Sequence, residues 1–252
     1  METITSRKNE LLVHLKKLAG DGDYRRECGE YLCDSPKLLH EAVRWGAEIV
    51  AVVSTGGTEV PGARCVRVPR DVMESVSPMR SPQGTLFSCR MPERDLPQTL
   101  PGRRYVVLDG VQDPGNVGTV LRTLDAFDFD GLLLLDSCAD AYSPKTVRAS
   151  MGAIFRRPVY QLTAQELGPL LEKSGLPLYG AALREDTLDI RAADYGRCAV
   201  AIGSEGRGLT EQVLAMCDKT IKIPMSQRCE SLNAAMAAGV ILWEAVRSTE
   251  IE

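Results

Sequence analysis

With 252 residues, 44% of them hydrophobic and 25% charged, the chain can hold one large core or two modest ones. Its net charge of −4 neither supports nor excludes a nucleic-acid partner, since 22 of the 30 basic residues are arginines, the type suited to forked phosphate contacts. No apolar run approaches bilayer length, and the polar opening METITSRKNELLVHLKKL is not expected to be a secretory signal, so a cytoplasmic protein away from membranes is the expectation.

In chain order, Asn9–Ala19 reads as an amphipathic helix with Leu11, Leu12, Leu15 and Leu18 on one side. Tyr31–Cys33 reads as a strand, Ser35–Trp45 as a helix with Pro36 at its first position, and Ile49–Val53 as a second strand. Val66 and Val68 suggest another strand, followed by a helix at Asp71–Ser77. Strands alternating with helices predict a small α/β domain. Between residues 77 and 102 stand five of the fourteen prolines, a density that blocks both helix and ladder. The expected division is therefore 1–90, a Pro-rich linker at 91–102, and 103–252.

Beyond the linker the alternation strengthens. Tyr105–Leu108, Gly131–Leu135, Pro177–Ala181, Cys198–Ile202 and Thr220–Ile223 read as strands. Helices are expected at Val117–Ala126, Pro144–Ala153, Thr210–Cys217 and Leu232–Arg247, and after a capping box at Thr163–Glu166 with Gly175 as its stop. Short apolar strands separated by helices predict a parallel sheet covered on both faces.

Ligands of open parallel sheets gather outside the carboxyl ends of the strands, and three unusual segments fall there. The first is Asn116-Val-Gly118-Thr-Val-Leu-Arg122-Thr123, after the 105–108 strand. The second is Gly203-Ser204-Glu205-Gly206-Arg207-Gly208-Leu209, whose glycines allow a close backbone approach. The third runs from Ile223-Pro224-Met225 to Ser231-Leu232-Asn233-Ala234-Ala235, a strand end, a polar loop and a helix start. Free backbone groups beside apolar side chains suit a flat uncharged ring such as adenine. Taken singly, each residue has a plain alternative: Arg122 a solvated helix arginine, Ser231 an N-cap with Asn233 in the first turn, Glu205 a brace of its own loop. Neither the dinucleotide fingerprint nor a P-loop occurs. The eight cysteines form no C-x-x-C pair and only two histidines exist, so no metal site is expected; Cys229 alone lies near the third segment.

Together the three segments resemble the signature motifs of the TrmH/SpoU family of RNA ribose 2′-O-methyltransferases, over residues 105–247. The resemblance implies a SPOUT-like α/β domain with a trefoil knot and S-adenosylmethionine as cofactor, with S-adenosylhomocysteine as product. Gly203, Ser204, Glu205, Gly208, Leu209, Ile223, Met225, Ser231, Leu232 and Asn233 would bind it. Arg122, Asn116, Glu205, Asn233 and Ser231 would form the catalytic set. It further implies a homodimer acting on structured RNA, ribosomal RNA ahead of transfer RNA. The segment from Ser6-Arg7-Lys8-Asn9 to Glu41-Ala42 resembles the ribosomal-protein-like substrate-binding domain of family members. A catalytically silent RNA-binding or assembly factor on the same fold is the alternative.

Overall fold

The computed structural model describes residues 1–92, 95–184, 187–226, 228 and 231–247. They fall into two compact units: Met1–Glu93 with Asp140–Phe155, and Arg94–Ala139 with Arg156–Glu252.

The first unit contains β1 (Glu2–Thr3), α1 (Glu10–Gly20), α2 (Gly22–Cys28), β2 (Glu30–Asp34), α3 (Pro36–Arg44), β3 (Ile49–Ser54), β4 (Arg64–Arg67), α4 (Arg70–Val76) and β5 (Thr85–Arg90). Asn9 caps α1 by accepting from Leu11 N, and the leucines expected on one side are the buried ones. Asp21 ends α1 and caps α2, and Gly29 stops α2 in the left-handed region at φ 63°. The sheet order is β1-β4-β3-β5-β2, with β5 antiparallel to both neighbours. Leu12, Leu15, Leu18, Leu32, Val53 and Val66 form the heart of its core.

The second unit is built on seven parallel strands. Chain order runs β6 (Arg104–Asp109), α5 (Pro114–Ala126), β7 (Gly131–Leu135), then α6 (Pro144–Ala149), which belongs to the first unit, and on through β8 (Val159–Leu162), α7 (Ala164–Ser174), β9 (Leu178–Ala181), β10 (Leu188–Asp189), β11 (Cys198–Gly203), α8 (Glu211–Met216), β12 (Lys219–Lys222) and α9 (Ala234–Val246). Lateral order is β10-β12-β9-β11-β6-β7-β8. Every residue from Tyr105 to Asp109 and from Cys198 to Ile202 is buried, as central strands covered on both faces require. The Thr163–Glu166 capping box and the Gly175 stop of α7 form as expected.

Two helix expectations need correction. The closing helix does not open at Ser231: Asn233 is its cap, with Oδ1 accepting from Ala235 N at 3.0 Å and Met236 N at 3.3 Å. An Asn placed there satisfies two orphan amides at once. The helix from Pro144 stops at Ala149 because Met151 and Gly152 take positive φ, and a short 3₁₀ turn, Ala153–Phe155, follows.

Asp140–Phe155, which carries α6, packs into the first unit although it lies between β7 and β8 in sequence. Two ion pairs fix it there. The Arg25 guanidinium grips Asp140 Oδ2 at 3.0 and 2.6 Å while donating to Leu18 O at 2.6 Å. Arg148 holds Asp34, and Tyr142 packs on Tyr31 with ring centroids 4.9 Å apart.

Candidate active site

The site grows from the carboxyl ends of β9, β11, β12 and β6. After β11 the chain turns back on itself: Ser204 N donates to Gly208 O at 3.1 Å and Gly208 N to Ser204 O at 2.9 Å. Gly203 permits this because a Cβ there would lie 2.1 Å from the carbonyl carbon of Gly208. Gly208 has φ 69°, whereas Gly206 has open space and no unusual φ. Two of the three glycines are therefore required.

Between this loop, the end of β12 and the start of α9 lies a cavity of 510 Å³, within the usual range for small-molecule sites. Gly203, Ser204, Glu205, Gly208 and Leu209 line it from one side; Ile223, Met225, Ser231 and Leu232 line it from the other. Ala234, Ala237 and Ile241 of α9 close the apolar floor, while Arg184, Glu211 and Lys222 add charge to its wall. That division fits S-adenosylmethionine, whose adenosine needs apolar walls with nearby backbone groups and whose amino-acid end needs charged ones. Asn233 does not line the cavity.

Asn233 instead joins the three segments. Its Nδ2 donates to Asn116 Oδ1 at 3.2 Å, and Asn116 Nδ2 donates in turn to Glu205 Oε1. An N-cap, a helix-start asparagine and a loop carboxylate thus form one hydrogen-bonded chain beside the cavity. Arg122 stands apart from it. Six positions beyond Asn116 on α5, it lies roughly 9 Å further along the helix and about 240° around it. It is exposed and does not line the cavity. Cys229 lies outside the described residues.

Two contributions escaped the sequence reading. Ala181–Arg184, following β9, form a wall of the cavity, with Leu183 66% exposed. The strand-end rule would have pointed to them had the placement of β9 between β11 and β12 been known. Asp109, 2% exposed at the end of β6, accepts from Thr210 N at 2.7 Å through Oδ2 and from Ser137 Oγ at 3.5 Å through Oδ1. It ties the exit of the glycine loop to the neighbouring strand ends. The nearby Cys138 thiol donates to Leu108 O at 3.2 Å and is pushed up to about 11 by burial, so it carries no charge at neutral pH. No cluster of metal-ligating side chains occurs among the described residues.

Comparison with known proteins agrees with this geometry. Residues 103–243 match the model of the SpoU rRNA Methylase family. The chain is 30% identical over 248 residues to the 23S rRNA (guanosine(2553)-2′-O)-methyltransferase of Bacillus subtilis, covering 96% of this chain and 98% of that one. It is 31% identical to the 23S rRNA (uridine(2479)-2′-O)-methyltransferase of Streptomyces viridochromogenes, over 97% and 91% of the two chains. Among solved structures it resembles the AdoMet-bound rRNA methyltransferase of Sinorhizobium meliloti, with a TM-score of 0.89, 27% identity and 99% of both chains covered.

Proposed function

The chain belongs to the SpoU rRNA methylase family, and on that premise we propose that it methylates a ribose 2′-hydroxyl of ribosomal RNA, using S-adenosylmethionine and releasing S-adenosylhomocysteine. The observation that carries the reading is the Glu205–Asn116–Asn233 hydrogen-bonded chain beside a cavity of cofactor size. When bound, S-adenosylmethionine supplies a methyl already activated by its sulfonium, so positioning and charge stabilisation are left to the protein. Leu209, Ile223, Met225 and Leu232 would hold the adenine, and Gly203 would let the loop backbone come close. Ser231, Asn116, Glu205 and Asn233 orient the ribose. Arg122 clamps the target phosphate and stabilises the nascent alkoxide; a guanidinium stays protonated, so a phosphate oxygen or water takes the proton.

The same reading makes the protein a homodimer. Met236, Val240 and Trp243 are 63%, 37% and 54% exposed and follow one face of α9, spaced four and then three residues apart. Trp243 also packs on Phe127, which caps the end of α5, the helix that bears Arg122. The family's trefoil knot is part of the reading too, supported by α9 packing back onto α5 and β11. The division into 1–90, 91–102 and 103–252 gives the N-terminal part to RNA binding, and a groove bearing Arg7, Lys16 and Lys17 supports that role. A cytoplasmic setting accords with this substrate, and no described helix is long and apolar enough to cross a membrane.

The test is transfer of tritiated methyl from S-adenosylmethionine to rRNA from a strain lacking the gene, with the product mapped for 2′-O-methylation. Arg122→Ala should abolish transfer while cofactor affinity persists, and Trp243→Glu should give monomers in sedimentation. Absence of ribose label on any rRNA would refute the assignment.

A further inference from the structure

Arg122 has a natural partner on its own helix. Asp125 follows three positions later on α5, a spacing at which arginine and aspartate side chains ordinarily meet. Both oxygens of Asp125 are already taken. Oδ2 accepts from Arg156 Nε at 2.7 Å, with Nη2 of the same guanidinium also at 2.7 Å, and Oδ1 accepts from Arg157 Nε at 2.8 Å. The carboxylate is only 13% exposed. Arg157 reaches on to Asp128 at 2.7 Å. Burial works against its charge, but the bonds to Asp125 and Asp128 outweigh that and raise its pKa. Arg122, exposed on the same helix, has no hydrogen bond or ion pair among the described residues.

Two guanidiniums share one largely buried carboxylate, and with Asp128 beside Arg157 the two cations and two carboxylates balance, leaving no charge in the group for a third cation. The arrangement does make Asp125 unavailable to Arg122. We infer that Arg156 and Arg157 are positioning residues for methyl transfer, which by saturating Asp125 keep the Arg122 guanidinium unpaired for the RNA. The inference rests on the proposed role of Arg122. With either clamp arginine gone, a largely desolvated carboxylate with free lone pairs lies one helical turn from Arg122 and competes with the phosphate for it.

The experiment uses the full chain carrying Arg156→Met with Arg157→Met, assayed for methyl transfer and for S-adenosylhomocysteine affinity. kcat/KM for RNA should fall about tenfold, the effect of one charge-assisted bond withdrawn from the substrate, with cofactor affinity unchanged. Adding Asp125→Asn to that background should restore most of the loss, because the competing carboxylate is gone. A loss that Asp125→Asn fails to reverse, or no loss in the double variant, overturns the inference. Should the double variant not fold, Arg156→Met alone frees Oδ2 and should show a smaller loss with the same reversal. Arg122→Ala separates the two levels. Survival of transfer there sinks the role of Arg122 itself, whereas its loss beside a failed rescue sinks only the clamp.

Discussion

Asn233 donates its side-chain amide to Asn116 at 3.2 Å across 117 positions of sequence, while its own Oδ1 caps α9. One side chain therefore serves stability through its oxygen and the site through its nitrogen. Substitution can separate these tasks, because aspartate keeps the oxygen and lacks the amide.

Asn233→Asp should retain the cap, leaving thermal stability close to wild type, but cannot donate to Asn116 and should lose roughly tenfold or more in methyl transfer. Asn233→Ala should lose both, with about 1 kcal/mol of stability and roughly 2–4 °C in Tm gone as well. Thermal unfolding beside a transfer assay checks the split. Equal melting losses in the two variants would mean that the cap and the amide bond are not separable.

Gly203 and Gly206 stand three residues apart and should respond in opposite ways to the same added methyl. At Gly203 the Cβ would sit 2.1 Å from the Gly208 carbonyl carbon and 2.3 Å from Leu209 N, both main-chain atoms. Gly203→Ala must open the Ser204–Gly208 bridge, and S-adenosylhomocysteine affinity measured by calorimetry should drop at least about 100-fold. Gly206→Ala meets nothing within 4 Å and should bind within about twofold of wild type. A tolerant Gly203 would show that this loop does not shape the cavity.

This glycine loop also marks where the sequence stops being informative. The close approach at Gly203 and the three segments at strand ends were legible because the residue types carry the geometry: glycine for space, asparagine for paired donor and acceptor, unbroken apolar runs for buried parallel strands. Lateral order was not legible. Periodicity says that Pro177–Ala181 is a strand and nothing about its neighbours, so the Ala181–Arg184 wall was missed. Strand β5 was hidden by reading the proline-rich stretch as a whole, although Thr85–Arg90 is a proline-free run between Pro82 and Pro92. Helix α2 was not legible because it opens with Gly22 and Asp23, both weak helix formers, and rests on Asp21 as its cap. The packing of Asp140–Phe155 into the first unit depends on Arg25 and Asp34, more than a hundred positions away, a distance no local pattern spans.

Three thiols, Cys198 buried and Cys138 and Cys217 partly so, give the protein an alkaline limit. Burial pushes Cys138 up to about 11, Cys198 to about 12 and Cys217 to about 11. An acid whose folded pKa is raised keeps its proton in the native state after the unfolded chain has released its own, near pH 9. The contribution is therefore fully present below about pH 9 and is lost as pH rises toward about 11–12. Urea midpoints should decline over that window, and Cys217→Ala should make the decline shallower. A midpoint that is flat to pH 11 would contradict the burial of these thiols.

The first unit offers a comparison of a buried and an exposed arginine on neighbouring positions of α2. Arg25 is 5% exposed, forks onto Asp140 and donates to Leu18 O. Arg25→Met leaves a carboxylate and a carbonyl short of donors in a site where the Asp140 side chain is only 22% exposed, at a cost of about 3 kcal/mol. Arg25→Lys should recover only part of this, since an ammonium cannot make the planar fork and reach the carbonyl together. Arg26, whose partner Asp23 is 92% exposed, should tolerate alanine within about 0.5 kcal/mol. Limited proteolysis under native conditions, followed by identification of the first cleavage, reads the effect locally. Arg25→Met should expose cleavage in Asp140–Phe155 before anywhere else in the chain, because the segment loses the guanidinium that holds its first residue. Resistance equal to wild type would mean that Arg148 and the Tyr31–Tyr142 contact suffice to hold it.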